Sequence, residues 1–185
     1  MRKFYILLIA IAAFASACTQ QGRWSRQQVR DFRHWLNDYR EMVYLDGMND
    51  AEFIIFADDV TGLLEDQYPD YVEFIQMTGM GDTVDMVIVE TIVDDLQANH
   101  NNMRYFFPYE WLKEWSILPE GMHHKELRAF YDCFAASVNK SYGSLDAFVA
   151  AAINSTVDDQ KILSLARQCA APYQQMHSSS AEHKK

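Results

Sequence analysis

The side chains in this sequence that could carry chemistry are two cysteines and two aspartates at equal spacing. Cys133 and Cys169 are 36 residues apart, and so are Asp59 and Asp95. Each cysteine also lies 74 positions after one of the aspartates. Two cysteines can form a disulfide, and two carboxylates held at a similar distance repel each other unless a cation or a shared proton lies between them. These four residues are therefore the first candidates for a site.

The same offset of 74 positions relates other residues of the chain, mostly aromatic and acidic ones. The matched pairs are Phe56 with Phe130, Asp58 with Asp132, Tyr68 with Tyr142, Phe74 with Phe148, Asp85 with Asp159 and Ile88 with Ile162. Gly47 and Met48 match Gly121 and Met122. A repeated spacing of this length is typical of an internal duplication.

The first eighteen residues have the pattern of an export signal. A basic start, Met1–Lys3, precedes eleven apolar residues, which are too few to span a bilayer. Small residues at 15–17 then precede Cys18. This leader resembles the lipobox of bacterial lipoproteins, in which the cysteine is acylated and becomes the first mature residue, although Ala15 stands where leucine is usual. The alternative is an ordinary secretory signal cleaved after Ala17.

The resemblance covers residues 1–18 alone and implies a bacterial envelope protein attached to a membrane by the lipid on Cys18. Residues 1–17 are then the signal peptide and residues 18–24 a short lipidated tether. In an oxidising compartment the two remaining cysteines, Cys133 and Cys169, are expected to form a disulfide. The alternative is a pair of buried free thiols.

If the disulfide forms, the duplication predicts that Asp59 and Asp95 face each other in the first copy. The hypothesis is a weak Ca²⁺ or Mg²⁺ site, or a proton shared by the two carboxylates. The alternative is that both aspartates are solvated on the helix rims. No other cofactor is expected.

Helical periodicity extends through the chain and predicts an all-α fold of about eight helices, arranged as two related four-helix units. The first helix is predicted over residues 26–45, after the capping pair Ser25 and Gln28. The last helix is predicted to end at Pro172. The units are predicted at residues 25–97 and 108–172, with a connector at 98–107 and a polar tail at 173–185.

Three consecutive aromatic residues, Tyr105, Phe106 and Phe107, cannot all face one core, so they are candidates for a binding surface. Trp35, Tyr39, Trp111 and Trp115 occupy apolar stripe positions and are predicted to be core. The sequence shows no nucleophile elbow, zinc-protease motif or phosphate loop, so an enzyme is the least favoured class.

The formal net charge of −10 disfavours nucleic acid and anionic lipid head groups as partners, since both need clustered lysine and arginine. The favoured function is a lipoprotein that acts by protein–protein interaction, in an accessory, scaffold or immunity-type role with another envelope protein. The alternative is a small-ligand or divalent-cation binding protein.

Overall fold

The computed structural model describes residues 23–182, with side chains described for residues 23–175. The predicted signal peptide, Cys18 and most of the predicted tether lie outside these residues. The described range contains α-helices, 3-10 helices and connecting turns, without a strand, which confirms the predicted all-α class. The α-helices are α1 (Arg26–Trp35), α2 (Asp50–Gln67), α3 (Tyr71–Gln76), α4 (Met80–Ala98), α5 (Tyr109–Glu114), α6 (His124–Tyr142), α7 (Leu145–Ile153) and α8 (Asp159–Glu182), and the 3-10 helices are η1 (Leu36–Tyr39) and η2 (His100–Tyr105).

The 74-residue offset recurs where two pairs of helices begin. Helix α2 begins at Asp50 and α6 at His124, an offset of 74, and the same offset separates the first residues of α3 and α7. The caps repeat as well. Glu52 accepts a hydrogen bond from the Asn49 backbone N–H at 3.0 Å, and Glu126 accepts one from the His123 N–H at 2.7 Å. Local sequence therefore starts both copies in the same way.

Core aromatics repeat their packing in the two copies. The rings of Tyr68 and Phe74 lie 5.2 Å apart, and those of Tyr142 and Phe148 lie 5.6 Å apart. Phe74 and Phe148 are both fully buried. Each pair joins the end of a long helix to the short helix that follows it, because burial of the aromatic ring fixes the turn between them.

By packing, the described chain divides into two compact units that differ from the predicted halves. Unit 1 contains residues 23–37 and 57–87, and unit 2 contains residues 38–56 and 88–182. The segment predicted as a connector, 98–107, belongs to unit 2 and includes η2. Met103, Tyr105 and Phe106 in this segment are buried, so it is part of a core.

Unit 1 is organised around Trp24, which is 5% exposed. Its indole N–H donates to the Tyr68 carbonyl oxygen at 2.8 Å, and its ring packs against Phe32 and Phe74. This tryptophan binds the start of the described chain to the end of α2. The indole combines a large apolar surface with a satisfied hydrogen-bond donor, which favours its burial.

Unit 2 is organised around α6, which packs against η2, α7 and α8. Phe130, Phe134 and Val138 form its fully buried stripe. The predicted disulfide is confirmed: Cys133 of α6 and Cys169 of α8 are bonded, with their Cα atoms 5.8 Å apart. The bond closes a loop of 36 residues around α7.

Two predicted helix ends differ from the structure. The first helix was predicted to extend to residue 45 but ends at Trp35. The 3-10 helix η1 and a series of turns follow it. Helix α8 continues past Pro172 to Glu182. Pro172 has no backbone N–H and so removes one hydrogen bond of the helix, but this loss does not end α8. None of the described helices is long and apolar enough to cross a membrane.

Candidate functional site

Unit 2 contains a cleft of about 530 Å³ at the N-terminal ends of α2 and α6, the two helices related by the duplication. Polar residues come from the start of α2 and from η2, and aromatic rings from η2, α5 and α6. The lining residues are Gly47, Asn49, Glu52, Asn101, Arg104, Tyr105, Pro108, Tyr109, His124, Leu127 and Tyr131.

Arg104 of η2 is the best-connected side chain of the cleft. Its guanidinium donates to Glu52 at 2.9 Å and to the Tyr105 hydroxyl at 2.6 Å. It also donates to the Asn102 side chain at 2.6 Å. The side chains of Arg104 and Glu52 are each about one-third exposed. A planar guanidinium with this many acceptors is fixed in orientation, so the charged pair is already in place at the cleft.

Behind Arg104 the hydrogen bonds continue into the core. Asn102 donates to Asp95 at 2.9 Å, and the fully buried Tyr44 donates its hydroxyl to the other oxygen of Asp95 at 2.6 Å. The Tyr44 ring packs edge-on against Tyr105 at 5.1 Å. The cleft wall is therefore supported by a continuous network from Tyr44 to Glu52, and such support restricts the rotamers of the lining groups.

The surroundings of these groups shift their pKa values in ways that the contacts explain. Partial burial acts to raise the pKa of Glu52, but hydrogen bonds from the Asn49 N–H and from Arg104 outweigh it, so the pKa lies below 4.5. Burial raises the pKa of Tyr105 to about 12, with Arg104 opposing the shift. Burial and the Asp95 carboxylate raise the pKa of Tyr44 further. At neutral pH Glu52 is thus ionised, and the phenols of Tyr44 and Tyr105 are neutral.

The other tyrosines of the cleft are also held by hydrogen bonds. The Tyr109 hydroxyl donates to the Pro119 carbonyl oxygen at 2.8 Å, and the Tyr131 hydroxyl donates to the Phe107 carbonyl oxygen at 2.8 Å. Each hydroxyl keeps acceptor capacity after donating. The rings therefore have fixed positions from which they can pack against a ligand.

Gly47 permits the close approach of two segments at the cleft. A Cβ at this position would lie 2.6 Å from the Tyr105 carbonyl oxygen and 2.8 Å from the Tyr105 Cα. Both are backbone atoms, which cannot move aside as a flexible side chain could. A glycine is needed here because any side chain would separate the turn before α2 from η2.

The predicted cation-site residues occupy different positions in the fold. Asp95 belongs to unit 2 and accepts the two hydrogen bonds of the network, whereas Asp59 belongs to unit 1 and is exposed on α2. Among the side chains described, His, Cys, Asp and Glu form no group of three or more that could hold a metal ion. The Asp59–Asp95 cation site stays a prediction.

The three consecutive aromatics have separate roles. Tyr105 lines the cleft, whereas Phe106 packs against Tyr44 at 4.9 Å and Phe107 packs against Phe134 at 5.2 Å. The aromatic run contributes one side chain to the candidate site, and its two phenylalanines pack against buried rings of unit 2.

Sequence reasoning missed four central residues: Tyr44, Glu52, Asn102 and Arg104. Glu52 was recognisable as a helix cap, but its second oxygen binds Arg104, 52 positions away. The run of polar residues before Tyr105 was the available signal, because a polar segment that is followed directly by buried aromatics must satisfy its polar groups internally.

The arrangement is suited to recognition: a fixed guanidinium, a carboxylate, amide groups and phenol rings share one cleft. Comparison of the chain with protein families, with curated proteins and with solved structures gave no match.

Proposed function

We propose that this chain is a lipoprotein of the bacterial envelope that acts by binding a partner protein in the cleft of unit 2. Its role is that of an accessory, scaffold or immunity-type protein. The observation that carries the proposal is the charged pair of Arg104 and Glu52, held among three hydrogen-bonded tyrosines beside a cleft of about 530 Å³.

The composition of the cleft supports binding. Tyrosine and arginine are the residue types enriched where protein interfaces gain most of their affinity. The network behind them reduces the conformational freedom that would be lost on binding, because the side chains are already ordered. A partner residue that enters the cleft would find fixed acceptors, fixed donors and ring faces.

The charge of the chain favours a partner with a basic or mixed surface. The net charge is −10 over 185 residues. An acidic surface accelerates encounters with basic partners and disfavours acidic ones. Within the cleft, Glu52 would accept hydrogen bonds from the partner, and the exposed His124 extends the polar rim.

In this proposal the leader accounts for the attachment of the protein to a membrane. Acylation of Cys18 would hold the folded units at a membrane surface, where a partner in the same envelope compartment is accessible. The leader leaves the choice of inner or outer membrane open.

Site-specific photo-crosslinking in the host envelope tests the proposal. A photo-reactive amino acid at His124 should capture one protein in a discrete adduct, and the same group at Arg128 should capture far less of it. Both positions are exposed on α6, but only His124 lines the cleft. Equal capture from both positions, or no adduct from either, would contradict the proposed docking site.

A small ligand is the second candidate, and the cleft volume favours it, since pockets of several hundred Å³ accommodate small molecules. Native mass spectrometry of protein purified from its host distinguishes the two. A defined added mass that is lost in the Arg104→Ala variant would support a ligand.

A further inference from the structure

The N-terminal helix of unit 1 carries a row of exposed arginines. Arg26 and Arg30 are one turn apart on α1, which places them on the same side of the helix, and Arg23 lies in the bend before the N-cap residue Ser25. All three are exposed, whereas Phe32 on the opposite side is buried in the core of unit 1. Arg33 is set apart by its ion pair with Asp58 at 2.6 Å.

Charge within unit 1 is separated along the sequence. Residues 23–37 contain four arginines and one aspartate, whereas residues 57–87 contain eight acidic residues and no lysine or arginine. The basic character of unit 1 is thus confined to the segment that contains α1. An anionic surface would attract the arginines of this segment and repel the acidic residues of 57–87.

The arginine row also lies next to the predicted anchor. Five residues separate Cys18 from Trp24, the first core residue of unit 1. Even a fully extended chain of that length spans only about 20 Å. A lipid on Cys18 would therefore hold α1 within roughly 20 Å of the membrane surface.

We propose that Arg23, Arg26 and Arg30 bind the phosphate groups of anionic phospholipids and hold unit 1 against the membrane that carries the anchor. This inference rests on the acylation of Cys18 in the proposed function. It assigns an electrostatic contact to the anionic head groups beside the lipid anchor. Each arginine close to an anionic surface strengthens binding about fivefold.

Arginine modification on vesicles tests the proposal. The purified lipidated protein is reconstituted into vesicles of phosphatidylcholine, or into vesicles with about one-third phosphatidylglycerol, and treated with phenylglyoxal. Mass spectrometry then gives the modification rate of each arginine. We expect Arg23, Arg26 and Arg30 to react at least about threefold more slowly on the anionic vesicles, with the difference lost at high salt.

Two arginines of unit 2 serve as matched controls within the same molecule. Arg128 and Arg167 are also exposed, and their rates should not depend on the lipid. Equal rates for the arginine row on both vesicles, or an equal slowing of the controls, would overturn the proposal. The mass of the N-terminal peptide in the same spectra reports acylation of Cys18, so failure of the anchor is distinguished from failure of the arginine contact.

Discussion

The Tyr44 hydroxyl donates a hydrogen bond to the Asp95 carboxylate at 2.6 Å, which joins two residues 51 positions apart in unit 2. Tyr44 is fully buried, and the second oxygen of Asp95 accepts from Asn102. This contact connects the turns after η1 to the end of α4. It is the inner end of the network whose outer end, Arg104 with Glu52, borders the cleft.

Removing the Asp95 carboxylate should destabilise the protein. In the Asp95→Ala variant the buried Tyr44 hydroxyl loses its acceptor, and an unsatisfied buried group of this kind costs about 1–3 kcal/mol. Urea unfolding measures the loss. Asp94→Ala, at the exposed neighbouring position of α4, should change the free energy of unfolding by no more than about 0.5 kcal/mol. Equal losses for the two variants would show that the network contributes nothing specific.

Gly47 and Gly62 should respond in opposite ways to replacement by alanine. Gly47→Ala brings a Cβ within 2.6 Å of a backbone oxygen of Tyr105, so we expect a loss of about 1–3 kcal/mol. Nothing lies within 4 Å of a Cβ at Gly62, which is inside α2. Gly62→Ala should therefore stabilise the protein by about 0.5–1 kcal/mol. Thermal unfolding of the two variants measures both changes. Equal stability of Gly47→Ala and the wild type would contradict the close approach of Gly47 to the Tyr105 backbone.

The stability of unit 2 should fall in acid through Glu52. Its pKa in the folded protein lies below the ordinary value of 4.5, so its contribution is complete above that pH and is lost as the pH decreases through the folded pKa. The wild type should lose stability below about pH 4.5, and Glu52→Gln should show a flatter dependence in that range. The exposed Glu114→Gln variant serves as control and should follow the wild type.

Loss of the disulfide should have a large effect on stability. Replacing Cys133 and Cys169 by alanine opens a loop of 36 residues, for which the loop-entropy relation gives about 3–4 kcal/mol. Chemical denaturation in the absence of reductant measures this difference. Thiol counting on the denatured wild type should find no reactive thiol at these two positions, and two reactive thiols would contradict the bond.

Helix starts and the repeat were predictable because their determinants are local. The capping interaction of Glu52 spans three residues, as does that of Glu126, and both could be recognised in the sequence. The disulfide was predictable for another reason: once Cys18 was assigned to lipid, two cysteines were left. Their pairing needed no knowledge of the fold.

The exposure of individual residues at apolar stripe positions was harder to predict. Trp111 and Trp115 were expected in the core, but they are 47% and 46% exposed, while Leu112 between them is fully buried. On a helix of only six residues a single turn can face the core. Leu112 occupies the buried face of this helix. The larger rings of Trp111 and Trp115 lie on the exposed face, with their centroids 6.1 Å apart.

The sequence by itself determined the all-α class, the approximate number of helices, the 74-residue spacing of the repeat and the disulfide. The tertiary structure alone decided the membership of the two units and the partners of Asp95 and Arg104. The physical reason is range: caps and periodicity act within one or two helical turns, whereas the contacts that build the cleft join residues about fifty positions apart. The residues next to Asp95 and Arg104 in the sequence do not specify these partners, because the partners are brought together only when the whole unit packs.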